Sequence, residues 1–577
     1  MQRALLLLFL TGLAAAATPQ VGSTSRVSVS SAGVQGNSGS WGPAMDIFGR
    51  YVTFHSHATN LVAGDTNGVV DVFVQDRTTG MTTRESLGPA GVQGNAISEG
   101  PTISGDGRFV AFQSNATNLV ANDLNGVTDC FLRDRLLGTT TRVSLAWDGA
   151  EADAPCLYPW ISTNGRYVTF YSEATNLVPG DTNGVTDIFM RDLDAGTLVR
   201  VSVSETGVQG NGRSEFASTS GDGRYVVFHS GATTLAPGDT NGFWDIFVKD
   251  MTTGAVQIAS VTSAGVQSNG HSGGAGISDN GRFVVFSTDS TNLDGPDTNG
   301  VRDSIIRDLQ AGITEKVSVG TGGIEGNGES IGPVVNQDGR IIAFSSMASN
   351  LVPGDTNGTW DVFVRDRLTA STTLVSRNTA GVQGNGESHG PIVSASGLHI
   401  GFQSLASNLV SGDTNNSLDA FVHTRKAYIP PSSHSLFRGV QISGNLQSFA
   451  FTDDDRMVLQ PGVVFSSGEA PIQLILNATS PFTTNTLYQF EIEWHCTSTN
   501  ISQTFDVWNF DTSSYTNFSV LQAPTTDTTH LIYVIPSAPF VGPNGELRAR
   551  LSYRATGPVF AYPWQARIDR ARFIISP

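Results

Sequence analysis

The stretch "GDTNGVVDVFVQD" at positions 64–76 returns in close copy down the chain, ending with "GDTNNSLDAFVHT". The first aspartates of these turns are Asp65, Asp123, Asp181, Asp239, Asp297, Asp355 and Asp413, each 58 residues after the last, with no insertion between them. Other columns keep the same step, among them Asn67, Asn125 and Asn183, and Asp71, Asp129 and Asp187. So long and unbroken a period requires a repeat architecture. Each unit holds four short segments rich in β-branched and aromatic residues, such as "PTIS", "GRFVAFQS", "TDCFLRD" and "TTRVSL", separated by Gly, Asn, Asp and Ser. No helical period competes. Four strands per unit and seven units predict an all-β chain headed by a seven-bladed β-propeller.

The ends of the array constrain it further. The fourth strand carries a serine column, Ser28, Ser86, Ser144, Ser202, Ser260, Ser318 and Ser376, whose first member precedes the first full unit. The seventh unit lacks its own fourth strand and runs into "PPSSH". The segment "TSRVSVS" near residues 24–30 is therefore expected to complete the last blade, so that no open edge remains between first and last blades. The propeller is assigned to 23–428, a Pro/Ser linker to 429–434, and a β-sandwich or jelly roll to 435–577, where runs such as "APIQLILNA" and "LYQFEIEWHC" read as strands.

"MQRALLLLFLTGLAAAATPQ" has one cation, an apolar run and small residues, the pattern of a signal peptide spanning 1–17. A secreted or periplasmic protein is expected, with no membrane span, because the run is too short for one. The formal net charge of −18 disfavours nucleic acid and anionic lipid as partners. Three cysteines, Cys130, Cys156 and Cys496, permit at most one internal bridge, so burial and not a disulfide frame must hold the chain together.

The units "SGDGRFVAFQSNATNLV" and "STNGRYVTFYSEATNLVPGDTNGVTDIFMRD" resemble the TolB-like, WD-repeat-like propeller repeats of secreted and periplasmic bacterial proteins, over roughly residues 23–428. The C-terminal pattern is similar to galactose-binding-like and carbohydrate-binding sandwiches. The propeller resemblance implies the fold, but it hosts binders, scaffolds and enzymes alike. Pectin lyases built on such propellers use a cluster of histidine metal ligands, as the resemblance implies; here only His271 and His389 fall near the expected mouth, two blades apart.

In an up-and-down propeller the second-to-third and interblade links share one end, and these are the long ones, so that end is the expected functional face. The interblade loops lead into the innermost strands through the column Ser40, Ser98, Cys156, Ser214, Ser272, Ser330 and Ser388. Its neighbours vary: Trp41, Glu99, Arg213, Glu215, Phe216, His271, Glu329, Glu387 and His389. A constant frame with variable polar and aromatic residues is what a ligand funnel would present; the alternative is a set of ordinary solvated loop residues. In the aberrant third loop, "AWDGAEADAPCLYPW", Trp147 and Tyr158 beside Glu151 and Asp153 suit sugar stacking or blade packing, and Trp160 suits packing.

The repeated acidic turn has two readings. Asp and Asn side chains stiffen turns through their own backbone, and Gly supplies positive φ. Alternatively, Asp65, Asn67 and Asp71, with the equivalent sets Asp181, Asn183, Asp187 and Asp355, Asn357, Asp361, offer hard oxygens to calcium, although the glycine position is not that of an EF-hand. The strand aspartates Asp76, Asp134, Asp192, Asp250, Asp308 and Asp366 usually follow a basic residue, namely Arg133, Arg191, Lys249, Arg307 and Arg365, which reads as an ion-pair ladder. Asp453 to Asp455 read as a charged hairpin turn or an ion site, and Tyr562 with Trp564 as packing or a sugar platform. No G-x-S-x-G, H-E-x-x-H or P-loop motif occurs. A non-catalytic protein that binds a protein or glycan through the loop-rich face is the expectation, with a calcium-stabilised polysaccharide lyase or glycosidase and a purely structural module as alternatives. A carboxylate pair such as Glu329 and Glu387 would serve the glycosidase only at a defined separation.

Overall fold

The computed structural model describes residues 22–295, 297–425, 427–429, 431–443, 457–461, 470–480, 487–498, 500–526, 528–534, 538–542, 545–556 and 565–576. The segment 1–17 read as a signal peptide, Asp453 to Asp455, Tyr562 and Trp564 lie outside them. Among the described residues the chain is all-β, and no helix is long and apolar enough to cross a membrane.

The repeat folds into four-stranded antiparallel sheets of propeller type, one per 58-residue unit, seven in all among the described residues. The second sheet is representative: Ser98–Ile103, Phe109–Ser114, Asp129–Asp134 and Thr139–Arg142 pair in sequence order. In the seventh sheet Ser388–Val393, His399–Ser404 and Asp419–Thr424 are followed in space by Ser23–Arg26, with Ser25 opposite Val422. The register matches the other sheets. Thr82 Oγ1 donates to Val29 O, and Thr314 Oγ1 to Val261 O, each linking a fourth strand to the sheet before it; Thr24 Oγ1 makes the equivalent bond to Arg377 O.

Burial explains the strand sequences. Buried phenylalanines of the second and third strands stack within a sheet, as Phe54 on Phe73 and Phe112 on Phe131, centroids 5.9 Å apart. The cores lie between neighbouring sheets: Val72 and Val74 of the first pack with Val110 and Phe112 of the second, and Val52 and Phe54 with Val27, Ala420 and Val422 of the seventh.

The serine column owes its constancy to a buried hydrogen bond. Each fourth-strand serine donates to the aspartate that opens the third strand, over 2.5–2.7 Å, as Ser86 to Asp71, Ser144 to Asp129 and Ser28 to Asp419. Each also accepts the next backbone N–H, as from Val72 to Ser86. A buried carboxylate so held avoids the cost of an unpaired charge.

The expected ladder between neighbouring strand residues is replaced by a different pairing. Asp76, Asp134 and Asp192 accept bidentate bonds from Arg50, Arg108 and Arg166, the arginines of the first-to-second turns. Their strand neighbours point the other way, because adjacent side chains on a strand face opposite sides. Arg191 therefore reaches Val143 O, and Lys249 reaches Val203 O, tying each sheet to the one before.

The second unit consists of two antiparallel sheets that share one core. Ser433–Arg438, Ile472–Thr479, Glu546–Ala555, Ile501–Asn509 and Ser514–Gln522 form one; Val440–Ser443, Met457–Gln460, Ala566–Ser576, Leu487–Cys496 and Thr528–Val534 form the other. Phe490 of one stacks on Phe505 of the other at 4.6 Å. Ala427–Ile429 also pairs with Ala566–Ser576, so the segment read as a linker begins and ends in strands of this unit.

Candidate functional site

Every innermost strand carries a register shift after its second residue, as between Trp41 and Ala44 or Glu99 and Thr102. The residue at the bulge has a left-handed backbone: Gly42, Gly100, Gly274, Gly332 and Gly390 lie at φ 59–64°. In the third and fourth sheets the same position is Tyr158, at φ 51°, and Phe216, at φ 50°. Bulky residues rarely occupy this region, at a cost of roughly 1–3 kcal/mol each, and such residues cluster at functional sites. At Gly42, Gly100, Tyr158, Gly274 and Gly332 the bulge amide donates across to the second strand of the preceding sheet, as from Gly42 to Gln403 Oε1 at 2.8 Å and from Tyr158 to Gln113 Oε1 at 2.7 Å.

These two strained residues start an aromatic shelf. Tyr158 stacks on Tyr171 at 5.5 Å and meets Phe216 at 4.7 Å; Phe216 meets His229 at 5.3 Å, and His229 meets Trp244 edge-on at 5.2 Å. Tyr158 and Phe216 remain 48% and 39% exposed, so the shelf faces solvent while its inner members are buried. Burial lowers the His229 pKa, against the opposing pull of Glu215, whose Oε2 lies 3.8 Å from Nε2. His229 Nδ1 accepts the Gly274 N–H, which suits the neutral ring.

The opposite end of the sheets is drawn together. Ile47 N–H donates to Gly105 O, Gly105 N–H to Thr163 O, Asn164 N–H to Gly221 O, Gly221 N–H to Asp279 O, Gln337 N–H to Ala395 O, and Ala395 N–H to Ile47 O. Above these turns lies a chamber of about 120 Å³ lined by Asp46, Trp160 and Thr219. Burial pushes the Asp46 carboxyl up to about 6 although it accepts the Tyr51 N–H. Trp160 thus lines this inner chamber, and the shelf has the open mouth.

Of the other expected mouth residues, Glu215 with Arg213 adjoins His229, and His271 lines a cleft with His229 and Trp244; the rest make local contacts. Trp41 meets His55 edge-on at 4.8 Å. Glu99 accepts from Gln113 Nε2, Arg213 pairs with Glu215 at 2.8 Å, and His389 lies 3.3 Å from Glu387. His271 is exposed and accepts the backbone N–H of Trp244 at Nδ1, while Glu329 is exposed and takes the Met347 N–H on its backbone oxygen. Trp147 is exposed on the third interblade loop, its N–H on Leu177 O, and no ring contact joins it to the shelf among the described residues. Its neighbours are engaged in the frame: Glu151 pairs with Arg142, and Asp153 accepts from Thr175.

The acidic turns are staples. Asn67 Nδ2 donates both to Asp71 and to Gly94 O in the loop entering the next sheet; Asn183 does the same with Asp187 and Gly210 O, and Asn415 reaches Gly36 O of the first loop. The cation beside each turn comes from the fourth strand. Arg84 Nη1 lies 3.5 Å from Asp65 and 3.1 Å from Asp71, and Arg200 Nη1 lies 3.1 Å from Asp181 and 3.3 Å from Asp187. Arg26, Arg142 and Lys316 serve the seventh, second and fifth turns. Two of the three sets considered for calcium are therefore already faced by a guanidinium. Lys316 likewise sits among Asp297, Asp303 and Glu325, the one tight acidic cluster among the described residues.

The fourth and sixth sheets differ, because Ile258 and Leu374 stand where the others have Arg or Lys. In the sixth, Gln383 Nε2 bridges Asp355 and Asp361 at 2.7 and 2.8 Å. Burial pushes Asp361 up to about 6, so the folded chain binds its proton more tightly than the unfolded one. This contribution to stability is complete below about pH 4 and is lost as pH rises through about 6. Leu374→Arg supplies the missing cation. Urea midpoints at pH 5 and pH 7.5 should show L374R losing less stability than the parent across that interval, by about 1–2 kcal/mol; identical pH dependence would show that the pair does not titrate there.

Trp244, Asp289 and Arg302 escape a reading confined to interblade loops, because they end the second strand or precede the third. The repeat held the signal. The columns of Trp244 and Asp289 vary from unit to unit beside near-constant neighbours, as the funnel columns do.

No family model matches the chain, and no curated protein does. Solved structures similar to it include one described as TolB from Agrobacterium tumefaciens, 17% identical, covering 48% of this chain and 80% of that one with a TM-score of 0.31. Prolyl endopeptidases are 12% identical over 77% of this chain and 55% of theirs, at a TM-score of 0.40. The tricorn protease is 12% identical over 75% of this chain and 35% of its own, at 0.22. Likenesses at these TM-scores carry no argument about fold, chemistry or ligand to this chain.

Proposed function

We propose that the repeat forms a closed seven-bladed propeller and that the protein is a secreted, non-catalytic binder, which takes a protein or glycan ligand on the loop-rich mouth. The pairing of Ser23–Arg26 with Asp419–Thr424 and the turn-to-turn bonds at the far end support closure. The observation that carries the binding reading is the shelf: two aromatic side chains held in left-handed backbone where five equivalent positions are glycine. Strain kept in a half-exposed ring pair has no packing explanation comparable to the buried Phe54–Phe73 stacks, and it fits a preformed contact surface. The face-to-face sheets of the second unit support a β-sandwich, a fold that gives the protein a second module beside the wheel.

The test is a screen of purified mature protein against glycan and peptide panels, in calcium and in EDTA. Binding without turnover is the expected result. Turnover of any polysaccharide would replace this reading with an enzyme, and silence in every panel would leave a structural module.

A further inference from the structure

Resting on the binding reading, we propose that the mouth takes a neutral, hydroxyl-rich oligosaccharide, seated between Trp244 and the Asp289–Arg302 pair beside the aromatic shelf. A cleft of about 540 Å³ lies there, within the range of roughly 300–1,000 Å³ usual for small-molecule sites. One wall is Trp244. Its ring lies over Gly231, where an added Cβ would stand 3.3 Å from the indole, so the glycine in this unit makes room for the ring. The equivalent positions in the neighbouring sheets are Glu173 and Asp289. The other wall is a planar ion pair, with Arg302 Nε and Nη2 on the two Asp289 oxygens at 2.8 and 2.9 Å. Between them the floor is formed by Gly273, Gly274 and Gly332, which expose backbone and permit close approach.

This combination selects a chemical class. An indole face favours the apolar face of a sugar ring, and a half-exposed carboxylate and guanidinium side by side offer acceptors and donors to hydroxyl groups. The pair carries no net charge, and an anionic ligand would have to displace Asp289 from Arg302 in a chain whose formal charge is −18. A uronic or phosphorylated ligand is therefore disfavoured. The shelf Tyr158–Phe216 continues from His229, which suits an extended chain of several sugar rings over a single monosaccharide.

The experiment is titration calorimetry of the full mature protein with cellohexaose, mannohexaose, maltohexaose, an oligogalacturonate hexamer and a random-peptide pool. At least one neutral hexasaccharide is expected to bind, with affinity falling about 30-fold in Trp244→Ala and less than fivefold in Trp244→Phe. Asp289→Asn with Arg302→Gln should weaken it at least tenfold, with unfolding temperature unchanged. Preference for the oligouronate or the peptides, or neutral binding that ignores Trp244→Ala, would overturn the proposal. In either case loss of that binding in Tyr158→Gly with Phe216→Gly would leave the binding reading standing. Silence of all five probes would overturn the oligosaccharide proposal, and silence across the wider panels as well would overturn both.

Discussion

A chain beginning at Ala32, without Ser23–Arg26 and the five residues after it, is expected to lose most of its stability. The deletion strips the third strand of the seventh sheet of one of its two partners, leaving only His399–Ser404. Val27, 1% exposed, contributes roughly 1.5–3 kcal/mol by burial. The Asp419 carboxylate is fully buried, and without Ser28 Oγ and Arg26 it stays behind with only Gln35 and Asn415, a loss of about 3–5 kcal/mol by analogy with broken buried pairs. These losses are comparable to the whole stability of an ordinary domain, roughly 5–15 kcal/mol. An unpaired edge at Asp419–Thr424 would also invite association between molecules. Thermal unfolding with light scattering should show a large fall in midpoint and aggregation, and a synthetic peptide of residues 22–31 should restore both. A truncated chain that unfolds like the intact one would show that the closing strand contributes nothing.

The second large effect concerns affinity. Replacing Tyr158 and Phe216 together by glycine should abolish ligand binding, by 30-fold or more, while changing stability by about 1 kcal/mol or less. Relief of left-handed strain offsets the lost ring contacts and the greater backbone entropy of glycine. The usual order of substitutions should reverse. Phe216→Ala removes the ring but keeps a Cβ at φ 50°, so it should be less stable than Phe216→Gly, although alanine is the milder change in ordinary strand backbone. Binding that survives in the glycine pair would place the ligand elsewhere.

The repeat made the four-stranded sheets legible because its columns report distinct physical duties. A serine and an aspartate that never change in seven units proved to be one buried hydrogen bond, and the turn asparagine a staple to the next loop. The completion of the last sheet by the first strand followed from counting the serine column. The site was legible in part. Tyr158 and Phe216 stood out as variable positions, but their backbone conformation shows only when glycine is seen to fill the same column elsewhere. Trp244, Asp289 and Arg302 were missed because they flank the second and third strands, and only the folded sheets set them around one cleft. The cation opposite each acidic turn was hidden as well: Arg84 is 19 residues from Asp65 in sequence, and only pairing of the third and fourth strands puts them together.

Hydrogen exchange of the intact protein tests the proposed closed wheel most directly, by comparing residues 23–29 with the equivalent fourth strands at 81–87 and 313–319. The backbone bond from Val27 N–H to Ala420 O and the pairing of Ser25 with Val422 predict protection of the first segment equal to that of the other two. Exchange of residues 23–29 at the rate of a free tail, with the other strands protected, would contradict the account.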